Sequence, residues 1–154
     1  MLLSNIRTLK LDNGSRLLGL DVGAKTIGIA ISDKNLKIAT PIDLIKRKNL
    51  RSDIDNMKVI TQNRNVGGIV IGFPLNMDGS EGPMCQSIKQ FAVNIDSSFD
   101  LPIIFWDERM STKAVEKQMI YLDTSRNKRK KNIDKEAAAF ILQGALDHLD
   151  NPKN

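Results

Sequence analysis

In the first third of the chain the apolar residues come in short runs broken by glycine and polar pairs, a pattern of strands and not of helices. The run Leu17 to Leu20 ends on Asp21, Gly23 and Lys25 turn the chain, and Ile27, Ile29 and Ile31 then alternate with Gly28, Ala30 and Ser32. A turn at Asp33 and Asn35 leads to a third strand, about Lys37 to Arg47, so the three predict an antiparallel meander. From Arg51 to Arg64 the spacing becomes that of an amphipathic helix, with Ile54, Met57, Val59 and Ile60 inward and Ser52 or Asp53 at its start. Gly67 and Gly68 end this helix and lead into Ile69, Val70 and Ile71, whose unbroken apolar run suits a buried strand.

The stretch from Gly72 to Pro83 holds too many glycines and prolines to be regular, and its length points to a functional loop. A helix is predicted over Met84 to Ser97, a strand over Ile103 to Trp106 that ends on Asp107 and Glu108, and a helix capped by Ser111 or Thr112 that carries Ala114, Val115, Met119 and Leu122. Residues 123 to 132 contain no apolar side chain and read as a mobile basic loop. The last helix starts at about Asp134, buries Ala137, Ala138, Ile141, Leu142, Ala145 and Leu149, and stops at Pro152. These elements predict an α/β fold: a mixed five-stranded sheet, strands 1 to 3 antiparallel and the rest parallel, with helices on both faces. Residues 1–16 read as an N-terminal extension, 17–150 as a single domain and 151–154 as a tail.

Composition narrows the setting. At 154 residues the chain can bury roughly 70% of its extended surface in one core and needs no covalent staple. The single cysteine, Cys85, excludes an intramolecular disulfide and a cysteine-based metal cluster, which fits a reducing cytoplasm. No apolar run reaches the length of a membrane span, and Arg7, Lys10 and Asp12 interrupt the leucines of the opening segment. A net charge of +5 favours a polyanionic partner, because Lys and Arg release counterions from nucleic acid on binding.

The acidic residues then stand out by position. Asp21 ends the first strand, Asp107 and Glu108 end the last, and Asp134 opens the final helix, whose Ala137 and Ala138 allow a close approach to the sheet. Ligands of open α/β sheets gather beyond the strand ends, so carboxylates from three distant segments can converge there. Such oxygen donors suit Mg²⁺ or Mn²⁺, and the only histidine, His148, lies near the tail, which argues against zinc. The chemistry suggested is metal-assisted hydrolysis of a phosphodiester. Taken singly, each acid has a plainer role: Asp107 or Glu108 pairing with Arg109 or Lys113, Asp134 as a helix N-cap. The basic run Arg126, Lys128, Arg129, Lys130 and Lys131 is a solvated segment on its own and a phosphate-gripping arm beside a nuclease centre.

Four segments together, LGLDVGAKTIGIA (18 to 30), IGFPLNMDGSEG (71 to 82), WDERMST (106 to 112) and IDKEAAAFILQGAL (133 to 146), resemble the pre-16S ribosomal RNA nuclease family, also described as Holliday-junction-resolvase-like. The resemblance runs in order from about Leu17 to Leu149. It implies a ribonuclease H-like fold and trimming of the 5′ end of the small-subunit ribosomal RNA precursor in the cytoplasm. Its proposed metal-binding acids match Asp21, Glu108 and Asp134, with Asp107 not separable from Glu108 by sequence. It also places Asn76 and Asp78 in a loop lining the substrate groove and Lys25 within reach of a phosphate; Arg109, beside the acids, joins these as a nucleic-acid contact. The chain departs from the family pattern at Thr26, where arginine is more usual, and at Met84, where a basic residue often stands; neither position is an acid.

Three other readings compete. A resolvase-like enzyme would cut branched DNA, and as a junction cutter it would want a homodimer. A nucleotide-binding domain of the actin and sugar-kinase type also opens with an Asp-x-Gly hairpin, but it needs two such subdomains and this chain has length for one. A binding module without catalysis, recruiting RNA or an RNA polymerase, would be favoured by loss of an acid, and all three are present. A metal-dependent nuclease, expected as a monomer or homodimer with ribosomal precursor particles among its partners, therefore ranks first.

Overall fold

Strict alternation along β2 (Arg16–Val22) sends Leu18, Leu20 and Val22 to one face of a sheet and Leu17, Gly19 and Asp21 to the other. The computed structural model describes residues 2, 3, 5–110 and 126–150, with residues 3, 110 and 126–135 described by their backbone alone. Around β2 are β1 (Leu2–Leu3), β3 (Thr26–Ser32), β4 (Ala39–Lys46), β5 (Val66–Phe73) and β6 (Ile103–Asp107), in the order β1-β6-β5-β2-β3-β4. The meander β2-β3-β4 is antiparallel, whereas β2, β5, β6 and β1 run parallel to one another. The five expected strands are present, and β1 adds a short sixth beside β6.

Helices α1 (Leu50–Thr61) and α2 (Cys85–Phe99) cover one face, burying Ile54, Met57, Ile88, Phe91 and Ile95 against Leu18, Leu20, Ile69 and Ile71. Helix α3 (Arg126–Asp150) covers the other, with Ala138, Ile141, Leu142 and Ala145 against Leu17, Ala30, Val70 and Ile104. Ile6, within the segment set apart above as an extension, is buried in this second cluster. Among the described residues no helix is long and apolar enough to cross a membrane.

Several elements differ from the sequence reading. Helix α1 is capped by Asn49, whose side chain accepts the amide of Ser52 at 2.9 Å, so the helix starts before Ser52. Gly67 and Gly68 lie inside β5 and do not terminate a helix: a Cβ on them would come within 2.8 Å of Ser15 and 2.9 Å of Leu17, so their bareness serves packing. Gly72 is likewise in β5 and not in the loop that follows it. Helix α3 begins at Arg126, so residues 126–132 are helical and not a loop, and position 134 is helix interior and not an N-cap. Lysine and arginine are good helix formers, and no glycine or proline interrupts that run. The helix expected over residues 111–122, with its Ser111 or Thr112 cap, lies outside the described residues.

A close approach of α3 to the sheet is at Gly19, where an added Cβ would meet Leu142 Cβ at 2.7 Å and the Ala138 carbonyl oxygen at 3.0 Å. Neither neighbour is the end of a flexible side chain, so α3 itself would have to shift. Gly19→Ala is expected to destabilise the protein by about 1–3 kcal/mol through overpacking, measured by urea unfolding; Gly14→Ala, where the space is open but φ is +85°, tests backbone strain without overpacking.

Candidate active site

Strand parity sets the site. Beyond the pair Leu20 and Ile71, β2 reaches Asp21 and β5 reaches Gly72, both on the face that α3 covers. On β6, Asp107 shares the parity of Ile103 and Phe105 and so belongs to the α1/α2 face, while Glu108 follows in a single 3-10 turn. The two neighbouring acids therefore leave the strand in different directions.

Glu108 folds over Gly72. A Cβ at position 72 would lie 2.5 Å from Glu108 Oε1 and 2.5 Å from Ile141 Cδ1, so a side chain there would displace the ends of both from their positions between β5 and α3. There Glu108 meets Asp21, and its pKa rises to about 7, first through burial and then through the charge of Asp21, a hydrogen bond with Asp21 and the charge of Asp107. Burial and the neighbouring negative charges thus favour the neutral form of Glu108 beside Asp21.

Asp107 is differently engaged. Its carboxylate accepts from Arg109 Nε at 3.0 and 2.9 Å, from Arg109 Nη2 at 2.6 Å and from the Arg109 amide at 3.0 Å. The guanidinium holds Asp107 below the usual carboxylate range, and Asp107 in turn raises the pKa of Arg109. Arg109 Nη1 also donates to the carbonyl oxygens of Met77 at 3.2 Å and Asn76 at 3.5 Å, tying the segment after β5 to the end of β6.

Beyond Phe73 that segment forms no helix or strand, in keeping with the sequence reading, and is organised by a tight turn. The Gly79 amide donates to Asn76 O at 2.9 Å and the Asn76 amide to Ser80 O at 2.8 Å, with Gly79 at φ +89° and a bridge between Leu75 and Glu81. This is a three-residue hairpin turn closed by a left-handed glycine. The Asn76 side chain donates to Ser80 Oγ at 2.9 Å, and Asp78 accepts the Ser80 amide and hydroxyl at 2.9 and 2.6 Å, which lowers the Asp78 pKa. Asn76 and Asp78 therefore brace the turn internally.

Lys25 is exposed in the turn between β2 and β3. Arg47, which sequence reasoning missed, secures this turn: its amide donates to Lys25 O and its Nη1 to Gly23 O, each at 2.8 Å. Arg47 is itself held by Asp53, buried to 1% exposure in the first turn of α1, at 3.5 Å. The signal for Asp53 was an acidic residue in a helix's first turn; nothing in the sequence marked Arg47 as its partner. Gly72 was missed too, though a glycine closing an apolar strand run points to close approach by another group.

Helix α3 crosses with its carboxyl half at the far end of the sheet: Gln143 accepts the Ala39 amide and donates to Lys37 O, both at 2.9 Å, and Lys37 pairs with Asp150. Its opening turns are consequently directed toward the end that carries Asp21. The side chains of Asp134, Arg126, Lys128, Arg129, Lys130 and Lys131 lie outside the described residues. Among the described residues no cluster of three His, Cys, Asp or Glu suited to a metal occurs, and the structure brings together two of the expected acids, Asp21 and Glu108. Their all-oxygen donor set fits a hard divalent cation and lacks the nitrogen or sulfur that zinc prefers.

A family model, RuvX, described as Holliday junction resolvase, matches residues 15–148. A protein of Roseobacter denitrificans named "Putative pre-16S rRNA nuclease" is 53% identical over 114 residues, covering 73% of this chain and 70% of its own. One of the same name from Pelagibacter ubique is 50% identical over 114 residues, covering 74% and 76%. The fold is shared with Thermus thermophilus RuvC, solved in complex with a Holliday junction substrate, at a TM-score of 0.52 and 10% identity over 82% of this chain and 91% of that one. It is shared also with the fowlpox virus Holliday junction resolvase, at a TM-score of 0.50 and 16% identity over 88% of this chain and 98% of that one. The family match over nearly all of the chain and the half-identical relatives give one conclusion: the chain belongs to the RuvX family.

Proposed function

We propose that this protein is a divalent-metal-dependent nuclease that processes the 5′ end of pre-16S ribosomal RNA in the cytoplasm. The observation that carries the reading is the contact between Asp21 and Glu108 at the carboxyl edge of the parallel strands, in a slot kept open by Gly72. Two carboxyl groups set side by side at a sheet edge repel once both are charged, and a cation between them removes that cost. The names of the half-identical relatives support the substrate.

Asp21 and Glu108 would hold Mg²⁺ or Mn²⁺, with Asp134, on the helix directed toward them, as the third ligand. A divalent ion bound there supplies neutralising charge to the phosphodiester oxygens and a more acidic water. The protein's own groups do the rest. Glu108 would hold the ion as a carboxylate, packed against Ile141 and Gly72, and Arg47 keeps the turn beyond Asp21 in place. Asp107 takes no ligand role in this reading, because Arg109 occupies it. Lys25 and the cations at the start of α3, Arg126, Lys128, Arg129, Lys130 and Lys131, supply the phosphate contacts that position the strand.

Asp21→Asn should lower Mg²⁺- or Mn²⁺-dependent cleavage of precursor ribosomal RNA by more than about 100-fold, beyond the usual effect of losing an outer ligand partner, while the RNA still binds. Gel assays on precursor RNA, single-stranded RNA and four-way DNA decide both activity and substrate, and parental rates in the variant would refute the assignment.

A second expectation concerns pH in the metal-free protein. The carboxyl group of Glu108 titrates at about 7 in the folded chain against 4.5 ordinarily, so between those values the folded state binds more protons than the unfolded one. Its contribution to stability is full below about pH 4.5 and is lost as pH rises through about 7. Thermal melts should show this decline in the wild type and a flatter profile in Glu108→Gln, with Mg²⁺ raising the wild-type Tm most at the alkaline end.

A further inference from the structure

The hairpin turn that Arg109 ties down carries an apolar side chain at its tip. Met77 is 74% exposed, the most open of the large hydrophobic side chains among the described residues. It occupies the first central position of the turn from Asn76 to Gly79, and its own carbonyl accepts from Arg109 Nη1 at 3.2 Å. Arg109 follows Glu108 directly in the chain, so the turn is tied to the segment that carries Glu108.

The tip is unusually well braced for an exposed loop. Two backbone hydrogen bonds close it, Asn76, Asp78 and Ser80 bond to one another beneath it, the Asp107–Arg109 pair anchors it to β6, and Glu81 pairs with Lys89 to anchor it to α2. The hydrogen bonds and ion pairs fix the backbone, and the methionine is left free to pack against whatever arrives. A thioether on a rigid mount presents polarisable apolar surface with little backbone entropy left to lose on contact. Inserted methionine and other apolar side chains are a known way of unstacking neighbouring bases in a nucleic acid.

We propose that Met77 packs against a nucleobase next to the scissile phosphate and holds it out of its stack, and that the Asp107–Arg109 pair is the positioning device that keeps the turn stiff enough to do so. This rests on the nucleic-acid reading of the site but not on turnover. The ligand class is an unstacked base of an RNA or DNA strand. Specificity follows from structure near the cut, where one base must leave its neighbour, and not from base identity, since every base offers a π face.

The test uses the full chain in EDTA, so that no cutting is required, and synthetic RNA hairpins with a 5′ single-stranded extension and 2-aminopurine placed at successive positions around the cleavage site. A matching DNA set separates the two sugar backbones. Wild type should brighten one 2-aminopurine position on binding. Met77→Ala should lose that signal and bind about tenfold more weakly, in the range set by one base-stacking contact, with an unchanged Tm. Met77→Phe should keep both. Arg109→Lys, which cannot grip Asp107 with two parallel bonds, should weaken the signal while Met77 itself is unchanged. Equal brightening and affinity in wild type and Met77→Ala, or a changed oligomeric state in Met77→Ala with base fluorescence intact, would overturn the proposal. If instead Asp21→Asn proves fully active while the Met77 effect holds, the metal-site reading fails and this one stands.

Discussion

Glu108 lies beside Asp21 across the bare backbone of position 72. A single missing Cβ lets a carboxyl group from the end of β6 cross the end of β5 and reach β2, and Ile141 of α3 closes over the same spot. The two acids come from segments more than eighty residues apart, so local preference cannot bring them together. The sheet register does it, through the pairs Leu20 with Ile71 and Gly72 with Trp106. Gly19 works to the same end by letting α3 settle onto β2. The electrostatic tension at the site and the close packing around it are thus two aspects of one arrangement of glycines.

The central architecture was legible because it is written in apolar periodicity. Leu17 to Leu20, Ile27 to Ile31, Ile69 to Ile71 and Ile103 to Trp106 all fall within observed strands, and the pattern over residues 51 to 64 marks α1 with a shift at its end. What escaped is information carried by contacts between distant segments. Gly67 and Gly68 resemble helix terminators by type, and only the nearness of Ser15 and Leu17 reveals them as strand residues. The basic run after residue 125 looks like a loop by hydropathy, yet hydropathy measures burial and not backbone preference, and its residues favour helix. The Gly72 to Pro83 segment is irregular beyond Phe73, as its glycine and proline content indicates, but the tight turn that a left-handed Gly79 closes within it depends on contacts that composition does not specify.

The acids illustrate the same division. That Asp21 sits at a strand end could be read directly. The choice between Asp107 and Glu108 was left open, although parity holds a clue: Asp107 is in step with Ile103 and Phe105, which pack beneath α1 and α2, whereas Asp21 is in step with Leu17 on the opposite face. The guanidinium of Arg109 then absorbs the acid on the α1/α2 side. Arg47 and Asp53 could not have been paired from sequence, because their joint purpose, steadying the turn beyond Asp21, exists only once β4 and α1 are in place.

The margins of the sheet bear on how copies of the molecule can associate. On one side the described residues of β1 are Leu2–Leu3, and on the other β4 carries Pro41, which lacks an amide hydrogen, beside an irregularity in its pairing with β3. Neither border offers the long, even row of donors and acceptors that an incoming strand would need. Strand addition from another chain at the described borders of the sheet is thereby discouraged.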